Sequence, residues 1–371
     1  MAQGNIDALA AKLLHHYGLK LLPGQSVVPE IVSSAVFHLP GDPANASHVY
    51  GRYHNPTWEA LEGALGVLEG AETLVFPSGM AAIGAVFFAT ARAGDRILLP
   101  ADGYFAVRAL AERFLVPLGV TVDTRPTAKF LDGGFAGYRL VHIETPSNPG
   151  LDVCDLRAAA AQAKSAGAIL SVDNTTMTAL GQRPLEHGAD VAVCSDTKAV
   201  SGHSDTLMGH VATRRADLME RFKEWRKFSG TIAGPFEAWL VYRGLETLEV
   251  RFARMCETAR VVAQLLAAHP KVKAVRYPGL ASDPAHAIAA RQMLTFGSMI
   301  SFTLADGPAA ERFIDGCPLV QPSTSFGGVR TCAERRIRWG DSVPEGFVRL
   351  SIGLEPTDTL CRAIESSLEK L

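Results

Sequence analysis

The sequence predicts an α/β protein: a mostly parallel sheet covered by helices on both faces, followed by a smaller α+β domain. Three observations carry this. The chain has 371 residues, more than one core ordinarily organises, so two domains are expected. Between residues 56 and 235, short apolar runs alternate with helix-like runs, the pattern of a buried parallel sheet. After residue 235 the alternation gives way to a long helical stretch, short strands and a last helix.

The elements follow in order. Residues 1–55 read as an N-terminal helix and an irregular arm. "VVPEIVSSAVFHLPGDPANASHVYGRYHNPT" carries turn residues and aromatics without a period, so it is expected to lie on another surface, such as that of a neighbouring subunit. Pro56 and Thr57 start a helix over "PTWEALEGALGVLEG". Residues 56–235 form the large domain. Its strands are "AETLVFPS", "DRILLPA", "VTVDT", "YRLVHIET", "GAILSVDN" and "VAVCSD". Helices are expected at "GMAAIGAVFFATAR", "FAVRALAERFLVPLG" and "DLRAAAAQAKSAG". Residues 236–371 form the small domain, with one helix over "EAWLVYRGLETLEVRFARMCETARVVAQLLAAH", strands at "VKAVRYP" and "SMISFTLA", and a closing helix at "DTLCRAIESSLEKL".

Composition excludes several classes. The net charge is −2 and the pI about 6.6, which argues against nucleic acid or an anionic membrane as partner. The six cysteines, Cys154, Cys194, Cys256, Cys317, Cys332 and Cys361, form no CxxC pair. They read as reduced thiols of a cytoplasmic protein, with no metal site. No signal-peptide pattern and no long apolar run is found, so no membrane span is expected.

Chemistry gathers at the strand ends, where open α/β sheets bind ligands. "LVFPSGMAA" puts Ser78-Gly79-Met80 at a strand-to-helix turn. Taken alone, Ser78 is an N-cap; the same helix N-terminus suits a phosphate. "HIETPSNP" ends in Glu144, with Asn148 after it, either a turn former or a ligand contact. Asp173 ends the next strand, as a cap or as partner to a cationic ring nitrogen. Lys198 follows the last strand in "VAVCSDTKAVSGHSD", among Ser195 and Thr197. A lysine that is to be desolvated and attack a carbonyl belongs in such a place. Together, an anion turn, an aspartate, an asparagine and a lysine at neighbouring strand ends are what a pyridoxal 5'-phosphate (PLP) site requires.

"SDTKAVSGHSD", with "YGRYHNPT", "STSFGG" and "VRLSIGLE" elsewhere, resembles the Cys/Met-metabolism PLP enzymes over nearly the whole chain. That trans-sulfuration family includes cystathionine γ-lyase, β-lyase and γ-synthase, and methionine γ-lyase; the sequence is most similar to bacterial cystathionine γ-lyases. The resemblance implies an aspartate-aminotransferase-like (fold-type I) architecture with a seven-stranded sheet, and a cytoplasmic homotetramer whose active sites are shared within a dimer. It implies that Lys198 holds PLP and shuttles the proton, and that Asp173 faces the pyridine nitrogen. Asn148 would sit near the ring oxygen and the substrate. Ser78, Gly79, Met80, Ser195 and Thr197 would bind phosphate, and Tyr50 and Arg52 would reach the phosphate of the neighbouring subunit. Tyr104 would stack on the ring and help activate the incoming amine. Arg349 would clamp the substrate α-carboxylate, with Ser325 and Arg108 as further substrate contacts. The sequence departs from the family pattern at Gly51, Phe105 to Val107, Ala199, Thr324 and Arg330, which bears on the distal substrate contacts. The implied reaction is α,γ-elimination of L-cystathionine. β-Elimination, γ-replacement, methionine γ-elimination and cleavage of another γ-substituted amino acid such as canavanine use the same core. Outside the class stand an aminotransferase, which would release no net ammonia, and a binding protein, which would lack a PLP absorbance band.

Overall fold

A computed structural model describes residues 3–371. Its larger sheet has seven strands: β1 (Glu72–Phe76), β2 (Arg96–Pro100), β3 (Thr121–Arg125), β4 (Leu140–Glu144), β5 (Ile169–Asp173), β6 (Val191–Cys194) and β7 (Gly209–Thr213). They lie in the order β1-β7-β6-β5-β4-β2-β3. β2 to β6 are parallel, and β7 runs antiparallel to both β1 and β6. The six expected strands are all present. β7 is the seventh, and its "GHVAT" sequence starts with Gly209 and His210 and offers only Val211 and Ala212 as an apolar run.

Both faces of the sheet are covered, as continuous apolar strands require. On one, Ile83, Val86 and Phe87 of helix Gly79–Thr90 pack with Leu99, Val193, Val211 and Phe222. On the other, Leu61 and Leu65 of helix Pro56–Glu69 meet Val75 and Val241, while Leu156 and Ala159 meet Val141 and Val172. Helix Pro56–Glu69 starts where the sequence signals it. Asn55 caps it by accepting the Thr57 amide at 2.9 Å, and Gly70 ends it at φ 67°.

A second sheet holds β8 (Ala274–Arg276), β9 (Met299–Thr303), β10 (Gln321–Pro322), β11 (Cys332–Arg335) and β12 (Phe347–Ser351), in the order β10-β11-β12-β9-β8. Its core joins Ile300, Phe302 and Leu350 to Val262, Phe313, Leu360 and Ile364.

Two expected helices are divided. The stretch from residue 105 is helical over Phe105–Leu110, widens over Ala111–Leu115 and tightens over Val116–Leu118, where Pro117 offers no N–H. The long helix after residue 235 breaks into Pro235–Leu245 and Leu248–Ala268. At the break, the Gly244 carbonyl accepts from Arg251 Nη2 at 2.6 Å. The arm between the first helix and Asn55 has almost no regular structure, and Leu19, Leu22, Val27, Val28, Ile31 and Val36 are exposed along it. Among the described residues no helix is long and apolar enough to cross a membrane, and none of the six cysteines is in a disulfide.

Candidate active site

The C-terminal ends of β4, β5 and β6 meet the start of helix Gly79–Thr90 around a cavity of about 420 Å³. Ser78, Gly79, Met80, Tyr104, Asn148, Asp173, Ser195, Thr197, Lys198, Ser325 and Arg349 all line it. The smaller sheet closes it from the other side through Arg349 on β12, Thr324 to Phe326 before β11, and Arg336 and Trp339 after it.

Lys198 sits in a tight turn. Its amide donates to Ser195 O at 3.1 Å, and Gly202 N donates to Lys198 O at 2.8 Å. Buried Arg251 fixes the turn from behind, donating to Ala199 O at 2.7 Å and Val200 O at 3.0 Å. Lys198 Nζ donates to Ser325 Oγ at 2.8 Å. Burial, and then the nearby Arg349 charge, lower its pKa to about 8, so a much larger share is neutral near pH 7 than for an ordinary lysine.

Ser325 joins two functional groups. Its hydroxyl accepts from Lys198, and its carbonyl accepts from Arg349 Nη2 at 2.7 Å. Its φ is 77°, a left-handed conformation that costs a non-glycine residue energy and is retained where surroundings demand it. Arg349 Nη1 donates to Asn148 Oδ1 at 2.7 Å, and Nη2 also donates to Glu334.

Under the cavity lie two buried carboxylates. Asp173 Oδ1 accepts from Thr175 N at 2.9 Å. Glu144 accepts from Tyr104 N at 2.6 Å and Asn148 N at 2.7 Å, so it positions the predicted stacking ring and the predicted asparagine together. Burial, followed by the Asp173 charge, pushes Glu144 up to about 8. Burial also raises Asp173, opposed by the Thr175 hydrogen bonds and by the Lys198 and His210 cations.

The phosphate-sized end is formed by backbone. The Gly79 and Met80 amides precede the first intrahelical bond, from Ala82 N to Ser78 O, and so point out of the helix. The turn is packed too closely for side chains at its glycines: a Cβ on Gly209 would lie 2.6 Å from Gly79 Cα, and one on Gly79 would lie 2.7 Å from Ser195 Cβ. Thr175 Oγ1 accepts from Ser195 N at 2.8 Å, tying β5 to the lysine turn. Outward amides and hydroxyls at one end, a buried carboxylate under the floor and a lysine of lowered pKa fit PLP in size and donor chemistry.

Three predicted residues lie elsewhere. Arg108 does not line the cavity. Its Nη1 donates to Pro100 O at 3.2 Å and Gly103 O at 2.8 Å, which fixes the loop before Tyr104 instead. Arg52 borders a separate cavity of about 530 Å³ and donates to Lys227 O at 2.5 Å. Tyr50 is 40% exposed, with its ring 5.6 Å from that of Tyr53.

Several residues went unread in the sequence. Thr175 was signalled only by its place two residues after Asp173, the spacing of an Asx turn. Arg336 and Trp339 also line the cavity, hidden in a charged run that resembles a solvated face. Directly behind the lysine turn, His210 Nδ1 lies 2.7 Å from Asp196 Oδ1 and Nε2 lies 3.3 Å from Glu69 Oε1. His210 and Asp196 are fully buried and Glu69 is 4% exposed. Asp196 draws His210 up to about 10 against the cost of burial, so the imidazole is charged at neutral pH.

Comparison with known proteins agrees with this chemistry. Residues 16–369 match the family described as Cys/Met metabolism PLP-dependent enzyme. A Streptomyces coelicolor protein named "Putative cystathionine gamma-lyase" is 50% identical over 93% of this chain and 90% of its own length. The L-methionine gamma-lyase of Pseudomonas deceptionensis is 36% identical over 96% of each. A crystal structure of cystathionine gamma synthase from Xanthomonas oryzae pv. oryzae superposes with a TM-score of 0.93, at 34% identity and over 98% of both chains. With relatives of this kind along its whole length and a cavity fitted to the cofactor, the chain belongs to the PLP-dependent Cys/Met metabolism family and shares the fold of its trans-sulfuration enzymes.

Proposed function

We propose that the protein catalyses α,γ-elimination of L-cystathionine, giving L-cysteine, 2-oxobutanoate and ammonia. The observation that carries the reading is the pairing of Lys198 and Arg349 through Ser325. It places one base of lowered pKa beside one carboxylate clamp. The most similar relative cited above supports the choice of substrate by its name.

PLP, when bound, supplies an electron sink for the charge left at Cα. The chain supplies the rest. Asp173 holds the pyridine nitrogen protonated. Ser78, Gly79, Met80, Ser195 and Thr197 grip the phosphate. Asn148 and Arg349 orient the substrate, and Tyr104 covers the ring and assists the incoming amine. Lys198 Nζ would hold the cofactor and, once displaced by the substrate amine, would take the proton from Cα, pass it on, then take one from Cβ and return it to the departing γ-sulfur. Water completes the conversion to 2-oxobutanoate and ammonia.

Incubating PLP-loaded protein with L-cystathionine alone tests this. Cysteine with 2-oxobutanoate is expected. Homocysteine with pyruvate would make the enzyme a β-lyase, and no products with an intact cofactor band would point to γ-replacement. A second reading, release of a simple alkyl thiol from L-methionine, is favoured by the apolar Phe105 and Leu207 on the cavity wall; 2-oxobutanoate from L-methionine at a higher kcat/KM would select it.

The assembly is part of the same proposal. Residues 1–55 act as an arm, 56–235 as the cofactor domain and 236–371 as the small domain. Tyr50 and Arg52 serve the neighbouring protomer's phosphate in a cytoplasmic homotetramer, and the exposed apolar residues of the arm are in keeping with a covering subunit.

A further inference from the structure

Arg336 is not among the residues needed for cofactor chemistry, yet it lines the catalytic cavity. It is 5% exposed. Its Nε donates to Asp341 Oδ2 at 2.7 Å and its Nη1 to Glu334 Oε1 at 2.9 Å. Its Nη2 is enclosed and has no partner among the described residues. A buried guanidinium nitrogen without an acceptor is costly, and such donors ordinarily meet a ligand or ordered water.

The surroundings hold the fork in place. Glu334 Oε1 accepts from both Arg336 and Arg349, and Glu334 Oε2 accepts from Trp339 Nε1 at 2.9 Å. One carboxylate thus braces two guanidinium groups and the indole at the cavity edge. Lys198, Arg336 and Arg349 are the lysines and arginines of the cavity lining. With Lys198 committed to the cofactor, two guanidinium groups remain, one more than a single α-carboxylate uses.

We propose that Arg336 is a specificity-determining residue: its free Nη2 receives a second carboxylate, carried on the leaving-group side of the substrate. The site then selects a γ-substituted amino acid whose departing thiol bears an acid. An uncharged alkyl thiol fills the same volume and leaves Nη2 unpaired. The proposal rests on the elimination reading above and sharpens it.

The test uses two ligands that differ by the distal carboxylate: L-cystathionine and S-(2-aminoethyl)-L-homocysteine. Dissociation constants are read from the change in the holoenzyme's cofactor absorbance, and kcat/KM from 2-oxobutanoate release. Wild type should favour cystathionine about ten- to a hundredfold, the worth of a charge-assisted buried hydrogen bond. Arg336→Met should collapse that ratio towards one. Arg336→Lys should restore part of it. Arg349→Lys should weaken both ligands together and leave the ratio standing, which separates the clamp from the selector. Equal binding of the two ligands by wild type, or an unchanged ratio in Arg336→Met, would overturn the assignment. Preferential binding of cystathionine without release of cysteine would uphold Arg336 while removing γ-elimination.

Discussion

Replacing His210 by leucine tests whether the charged cluster behind the lysine turn is held as one unit. The substitution removes the cation between Glu69 and Asp196. Asp196 Oδ2 already lacks a partner, so its carboxylate would lose the one side-chain contact that compensates its burial. Removing one partner of a buried pair costs about 3–5 kcal/mol. For a chain of 371 residues, the unfolding entropy is about 0.8 kcal/mol/K, so Tm should fall by about 4–6 °C. The effect has a signed pH dependence. His210 is held at about 10, against an ordinary 6.5, so folding takes up a proton between those values. Its contribution is fully present below about pH 6.5 and is lost as pH rises through about 10. Differential scanning calorimetry of wild-type and H210L holoenzyme across that window should show the gap in stability narrowing with pH. H210L/D196L should recover part of the loss, because the orphaned charge goes with its partner. An H210L protein melting within about 1 °C of wild type at pH 6.5, or a gap independent of pH, would refute the reasoning.

Lys198→Ala should lower turnover by at least about a thousandfold while the fold, followed by circular dichroism, stays intact; PLP should then dialyse away freely. Gly209→Ala puts a methyl group 2.6 Å from Gly79 Cα, and overpacking of about 1–3 kcal/mol should appear as weaker PLP affinity, read by equilibrium titration of the apoenzyme. Glu144→Gln should destabilise the protein most at low pH, because both Glu144 oxygens accept from backbone, from Tyr104 N and Asn148 N, and an amide nitrogen cannot. That cost should shrink as pH rises, because burial raises Glu144 to about 8. A carboxyl raised in the folded state loses stability as pH rises from its unfolded value through its folded one. Wild type should therefore fall in Tm relative to Glu144→Gln between about pH 4.5 and 8.

Strands β1, β2, β4, β5 and β6 could be read because each is a run of apolar residues ending in a polar or turn residue. β7 escaped that test: Gly209 is there to let the backbone approach Gly79, and His210 to serve a buried ion pair. Function had overwritten the pattern that reveals strands. The helix break near Gly244 was equally hidden: its carbonyl accepts from Thr247 N at 3.2 Å and from Arg251 at 2.6 Å in place of a continued i,i+4 ladder. At the site, Lys198, Asp173, Asn148 and the Ser78 turn announced themselves through their places at strand ends. Arg336 did not, because charge in a sequence does not reveal burial. Only the packing of Glu334, Asp341 and Trp339 around it separates a cavity residue from a solvated one. Arg108 shows the converse: its residue type suited a ligand, but two backbone carbonyls claim it.

The antiparallel course of β7 has a consequence for engineering. The chain leaves β6 at Cys194 and re-enters the sheet at Gly209 on the adjacent strand, so the segment 195–208 is rooted at both feet on one edge of the barrel-free sheet. Its first half is fixed by the buried Asp196–His210 pair and by Arg251 on Ala199 O and Val200 O, whereas Ser204 and Asp205 are exposed and can be exchanged without disturbing a crossover helix. Doubling the length of such a segment costs only about 0.6 kcal/mol in closure entropy. Libraries that vary the length of the chain at Ser204 and Asp205 therefore offer a way to reshape the ground behind the reactive amine while the turn that holds it stays where it is.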